Sequence, residues 1–332
     1  MRHWIAIFTF LFIGGAIGPT AAQNLATKVA APTQKVVVRF TWKFKGEFAP
    51  LFVALDKGYY ANEGLDVELA EGSGAETVVK LIGAGTDKIG YGPATVIAEA
   101  VNQGLPVEVI AVYQPSAPIG LVSFPDVPLS KPADLEGKKL GTVTGETFGN
   151  MLEPFAKLNH VDLSKVTVVR MEGATRNAQF LLRKLDIASV YLNNEKPIFE
   201  KKAGVKFNVI NIGDFGFKLL GASFFVNKSF AEQNPDLLRK LLRATTRGYL
   251  DAKRDVAGAV AIMNNHMTVK LDPDVLEEQV RETLDATPVP KDVPLGWQSA
   301  DEWKSNLDLL KETNSIQVVK DLQSYYTNAY LK

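Results

Sequence analysis

The 332-residue sequence contains no cysteine. That excludes disulfide staples, thiolate metal centres, a cysteine nucleophile and a lipid-modified cysteine. Histidine is nearly as scarce, with three in the chain. His160 and His266, the two beyond the N-terminus, stand in unrelated contexts and suggest no relay or metal site. No HExxH, GxSxG, P-loop or GxGxxG signature occurs, and Gly72-Ser73-Gly74 lacks the Lys-Ser/Thr of a phosphate loop. Charge of one sign is missing too, since 37 basic residues face 37 acidic ones. Nothing therefore points to nucleic acid or a lipid surface as partner. No catalytic residue, metal or cofactor is expected, and the sequence gives little support to an enzyme.

Long apolar runs are also absent, with one short exception. Arg2 precedes the apolar stretch Ile5 to Ile17, and Pro19-Thr20-Ala21-Ala22 follows with small residues. A charged start, an apolar run of about 7–15 residues and a small-residue cleavage site describe a secretory signal peptide. The run is shorter than the roughly 20 residues a membrane-spanning helix needs. The expectation is a signal peptide over residues 1–22, cleaved after Ala22, and a soluble periplasmic chain. Residues 23–34 read as a flexible leader. Without its first 22 residues the chain still exceeds the roughly 250–300 residues at which one core stops growing, so two lobes are expected.

Short β-rich runs then alternate with helical patterns. Val36 to Phe40 reads as a buried strand, Phe48, Leu51, Phe52 and Leu55 fall at helical spacing, and Leu65 to Leu69 alternates as a strand. Helix at Ala75 to Ile82, strand at Lys88 to Tyr91, helix at Ala94 to Asn102 and strand at Val107 to Tyr113 continue the series. Such alternation predicts an α/β fold with mostly parallel sheets. Prolines between Gln114 and Pro128 break the pattern, and another α/β unit starts near Lys139. The final third reads as largely helical, with Asn234-Pro235-Asp236 and Asp272-Pro273-Asp274 as helix starts.

Ligands of open α/β sheets sit beyond the carboxyl ends of strands, where helix N-termini present free N–H groups. Four segments occupy that position. Trp42 and Lys43 follow the first strand and suit stacking and a polar contact, with Phe48 opening the next helix. Tyr91, Pro93, Ala94 and Thr95 lie where small residues admit close approach. Gly145, Glu146 and Thr147 join a strand to a helix; a carboxylate there would repel a sulfonate or phosphate in the same field. Asn193, Asn194 and Glu195 follow an apolar strand, and Glu195 can accept two hydrogen bonds from adjacent donors. Gln114, at the composition break, completes the candidate set. Each segment also suits a structural role, as a packing aromatic, tight turn, helix start or Asn-rich turn. Sequence leaves both readings open.

At these residues the chain resembles the nitrate/sulfonate/thiamine-pyrimidine-precursor family of ABC-importer binding proteins. The resemblance rests on Ala49 to Ala54 leading to Gly58-Tyr59-Tyr60, then Glu63-Gly64-Leu65-Asp66-Val67-Glu68. It continues in Gly72-Ser73-Gly74, Leu135-Glu136-Gly137-Lys138-Lys139-Leu140-Gly141 and the Asn193–Glu195 segment. It implies a type II periplasmic-binding-protein fold, two α/β lobes around a ligand cleft, with residues 35–114 and 221–332 in one lobe and 115–220 in the other. It further implies a small-molecule ligand, an ABC permease and ATPase as partners, and a monomer. In the pyrimidine-precursor branch, an aromatic after the first strand and a carboxylate after a second-lobe strand resemble Trp42 and Glu195. An oxyanion, alkylsulfonate or aromatic carboxylate with Lys43 as counter-charge is the alternative ligand, and a receptor-linked sensor the alternative role. The fungal pyrimidine synthases resemble the N-terminal motifs, but use a Cys-rich iron motif that this chain lacks.

Overall fold

The computed structural model describes Met1 and residues 33–331. The expected signal peptide and most of the expected leader lie outside the described residues; Gln34, the leader's last residue, opens the first strand. Ten strands form two five-stranded sheets among the described residues. Sheet A contains β1 (Gln34–Phe40), β2 (Leu65–Ala70), β3 (Ile89–Pro93), β4 (Val107–Val112) and β10 (Ala222–Asn227), in the order β2-β1-β3-β10-β4. Sheet B contains β5 (Ile119–Ser123), β6 (Lys139–Val143), β7 (Thr167–Met171), β8 (Ile187–Tyr191) and β9 (Asn208–Asn211), in the order β7-β6-β8-β5-β9.

The two orders are the same pattern. In each sheet three parallel strands are followed by one antiparallel insertion, β10 in A and β5 in B. The sheets are therefore mixed rather than mostly parallel. The antiparallel strands are those by which the chain passes between sheets, from β4 to β5 and from β9 back to β10.

Local chemistry explains the elements. In β1 the buried positions Val36, Val38 and Phe40 alternate with more accessible ones, as a pleated strand with one face inward requires. Helices of eight or more residues are α1 (Ala49–Asp56), α2 (Ala75–Gly83), α3 (Ala94–Asn102), α4 (Thr147–Leu158), α5 (Gly173–Leu181), α6 (Glu195–Ala203), α7 (Pro235–Arg254), α8 (Val256–His266), α9 (Pro273–Asp285) and α10 (Ala300–Glu312). Pro235 and Pro273 stand in first turns, where their missing N–H costs nothing. Ser299 and Glu302 cap α10 reciprocally, and left-handed Gly204 ends α6. Among the described residues no helix is long and apolar enough to cross a membrane.

The crossings run side by side. Tyr113 N donates to Ala222 O at 2.8 Å, Gly221 N to Gln114 O at 2.9 Å and Ala117 N to Leu219 O at 2.6 Å. Ala117, Phe217, Leu219 and Leu220 are all buried, within one apolar cluster that also takes in Ile97 of sheet A's helices and Leu121 and Ile210 of sheet B. The passage between sheets is therefore a packed, hydrogen-bonded seam.

Candidate functional site

Because the sheets share one strand order, equivalent strand ends, β1 and β3 in A and β6 and β8 in B, carry the four candidate loops. After β1, Trp42 is 47% exposed with Lys45 Nζ 5.9 Å from its ring centre. Lys43 points into solvent, paired with Glu71 at 3.1 Å. A 3-10 turn, Gly46–Phe48, follows. Phe48 belongs to the core, stacked on Phe40 at 4.2 Å and only 3% exposed. Glu47 keeps some accessible surface although protein crowds its carboxyl. Burial and then the charge of Glu195 push that carboxyl up, with Lys45 opposing.

The loop after β3 does not offer its amides to a cleft. Ala94 N donates to Gly221 O at 2.8 Å and Thr95 N to Leu220 O at 3.3 Å. The Thr95 hydroxyl also donates to Leu220 O, at 2.9 Å. Pro93 closes β3 ahead of these contacts. The start of α3 is thus satisfied by the returning crossing. Gln114 serves the same seam, its Oε1 accepting from Ala222 N at 3.2 Å. Tyr91 is buried, its hydroxyl bonded to that of Tyr249.

On sheet B, Gly145 takes φ +78°, the left-handed turn that leads Glu146 into α4. The Glu146 carboxylate accepts from the Ser189 hydroxyl, and burial raises its pKa against that bond. Thr147 lies beside the Tyr191 hydroxyl, which burial pushes up to about 12. Glu195 Oε2 accepts from Tyr191 N at 2.9 Å, while Oε1 lies 3.7 Å from Nη2 of buried Arg176.

The two sheets meet at the Asn pair. Lys45 Nζ donates to Asn194 Oδ1 at 3.0 Å, Gln279 Nε2 to Asn194 O at 3.0 Å and Asn193 Nδ2 to Thr283 Oγ1 at 3.0 Å. Gln279 Oε1 also accepts from Gly46 N at 3.1 Å, so α9 touches both sides. Further along, Lys196 Nζ reaches Glu278 at 3.0 Å and Glu282 at 2.7 Å. Glu195 and the Asn pair therefore sit with Lys45 and Glu47 at one interface, with Glu146, Thr147 and Arg176 around Glu195. Lys43, Phe48, Pro93, Ala94, Thr95 and Gln114 do not join them.

Sequence reasoning missed Glu47, Arg176, Gln279 and Thr283. Only Glu47 had a local signal, standing directly before the candidate Phe48. The histidines lie elsewhere: His266 bonds Asp56 at 2.6 Å and His160 is exposed just past α4. Carboxylates paired with buried donors and one accessible indole suit recognition of a flat, polar-edged molecule.

The NMT1/THI5 like family matches residues 45–258 of this sequence. The chain belongs to that family. Among its relatives, the riboflavin-binding protein RibY of Chloroflexus aurantiacus is 26% identical, over 98% of this chain and 96% of its own. A formylaminopyrimidine-binding protein of Halalkalibacterium halodurans is 24% identical over 92% and 91%. A 4-amino-5-hydroxymethyl-2-methylpyrimidine phosphate synthase of Legionella pneumophila is 24% identical over 64% of this chain and 68% of its own. The solved periplasmic aliphatic sulphonate binding protein SsuA of Escherichia coli superposes with a TM-score of 0.68 at 15% identity, over 88% of this chain and 91% of that one. The fold is that of periplasmic binding proteins, two α/β lobes around a cleft.

Proposed function

We propose that this NMT1/THI5-like chain is the extracytoplasmic solute-binding component of an ABC importer, capturing a small planar heteroaromatic molecule such as a thiamine pyrimidine precursor. The observation that carries this reading is Glu195, held by Tyr191 N at 2.9 Å and facing Arg176 at the meeting of the two sheets. A carboxylate so held accepts two hydrogen bonds from an amidine-like or aminopyrimidine edge. Trp42 supplies a stacking face. The relatives that bind riboflavin and formylaminopyrimidine support a heteroaromatic ligand. Residues 35–114 with 221–332, and 115–220, are the lobes that separate and close, and a ligand touching both favours closure. The closed monomer then docks on a permease and ATPase pair. Residues 1–22 direct export to the periplasm.

An alkylsulfonate, nitrate-like oxyanion or aromatic carboxylate fits less well, because Glu47, Glu146 and Glu195 face it with Lys45 and Arg176 as counter-charges. The assigned counter-charge, Lys43, is neutralised by Glu71 in solvent. A synthase of the fungal kind needs a Cys-rich iron motif, and this chain has no cysteine.

Calorimetry with formylaminopyrimidine, riboflavin, taurine and benzoate tests the reading. Binding of a heteroaromatic probe, weakened by about 1.5–3 kcal/mol in Glu195→Gln, is expected. Tight binding of taurine alone, or an unchanged affinity in Glu195→Gln, refutes it.

A further inference from the structure

Arg176 belongs to none of the four loops. It sits on α5, is 2% exposed, and its guanidinium carbon lies 5.7 Å from the centre of the Phe199 ring. Burial strips the guanidinium of water and works against its charge; Glu195 and Glu146 are the charges that oppose this penalty. Hydrogen bonding recovers little. Nη2 stands 3.7 Å from Glu195 Oε1, and Nε and Nη1 have no hydrogen-bond partner among the described residues. A methionine would fill this space beside Phe199 with no orphaned donors, but it would leave the neighbouring carboxylates without their buried counter-charge. Packing does not account for an arginine here. The two carboxylates do.

We propose that Arg176 is the positioning residue of the cleft, a buried cation that aims Glu195 and shares its charge with Glu146, so fixing the edge that reads ligand donors. This rests on Glu195 being a ligand contact. Tyr191 N holds Oε2 at 2.9 Å and Arg176 faces Oε1, so the carboxylate plane is defined from two sides. Glu146 is tied to Ser189 and feels the same cation. The other groups facing this pair are Tyr191 at the end of β8, and Lys45 and Glu47 from the turn after β1. Lys45 leaves with sheet A when the lobes part. Arg176 stays, because α5 packs on β6 and β8 beside both carboxylates. The reading edge is thereby organised before ligand arrives, which removes an ordering cost from binding.

The test uses the whole chain with Arg176→Gln, Arg176→Lys and, as a separate arm, Glu195→Gln. Carboxyl NMR of the ligand-free protein follows the titration of Glu146, and calorimetry measures riboflavin and formylaminopyrimidine. In Arg176→Gln the Glu146 midpoint should rise, and the affinity of whichever probe binds should fall about tenfold, more steeply as pH drops. Arg176→Lys should restore most of both. Should Arg176→Gln fail to fold, Arg176→Met takes its place in both measurements. An unmoved Glu146 midpoint, or an affinity equal to the parent's, overturns the proposal. Failure of both probes to bind, or an indifferent Glu195→Gln, sinks the ligand reading instead, and the Glu146 titration still decides the role of Arg176.

Discussion

Lys45 and Asn194, 149 positions apart in sequence, meet with Nζ 3.0 Å from Oδ1. One belongs to the turn after β1, the other caps α6, so the bond joins sheet A to sheet B. It exists only while the sheets are together, and it lies beside Glu47 and Glu195 rather than at the distant crossings. The proposed ligand contacts and the contact between the two sheets therefore lie side by side.

Lys45→Ala should loosen closure and weaken ligand by about 1 kcal/mol, roughly fivefold in Kd, the value of one partly exposed charge-assisted bond. Spin labels on α6 and α9 would show a larger open population, and calorimetry the lower affinity. An unchanged label distance would separate the bond from closure.

Lys196 extends this seam without reaching the candidate ligand contacts. Its side chain is 11% exposed and bonded to Glu278 and Glu282 on α9. Lys196→Met should lower affinity several-fold through the open–closed equilibrium alone. Raising salt from about 0.05 to 0.5 M should weaken the parent more than the variant, because screening removes what the substitution has already removed.

Gln114 tests the seam between crossings. Gln114→Ala leaves Ala222 N without its side-chain acceptor in a partly buried setting. A loss of about 1–2 kcal/mol in chemical denaturation is expected, with ligand affinity changed little. A large affinity change at full stability would return Gln114 to the ligand.

Glu99 on α3 supplies a pH signature of stability. Burial first, then repulsion by Glu76, pushes its carboxyl up to about 7, with Ser315 opposing. A raised value means that the fold prefers the protonated form. That contribution is fully present below about pH 4.5 and is lost as pH rises through about 7. Glu99→Gln should accordingly be more stable than the parent at about pH 8, by on the order of 2 kcal/mol, and the two should converge below about pH 4.5. Denaturation curves across that range check the sign.

Residues whose partners are local could be read from the sequence. The alternation in β1, the proline-led starts of α7 and α9, and the loops after β1, β3, β6 and β8 follow from periodicity and caps within a few positions. What was illegible depends on distant chain. Periodicity reports which face of β3 is buried, not that β10, far along the chain, inserts beside it antiparallel. The same insertion brings Leu220 and Gly221 onto the amides of α3, which is why Ala94 and Thr95 looked free in sequence and are not. Arg176 was hidden for a related reason: nothing in Gly173–Leu181 distinguishes a solvated arginine from one folded under Glu195. Phe48 took the bland course, because Phe40 stood ready to stack on it.

The laced crossings have a mechanical consequence. Two separate tethers would let one half of the molecule slide, tilt and twist against the other. Tyr113, Gln114 and Ala117 are stitched to Ala222, Gly221 and Leu219, and a ribbon sewn edge to edge bends easily across its width while resisting shear. Crossings stitched in this way favour one rotation about the seam, so under the proposed closure the two halves would lose a single rotation rather than a loose tumble of two bodies.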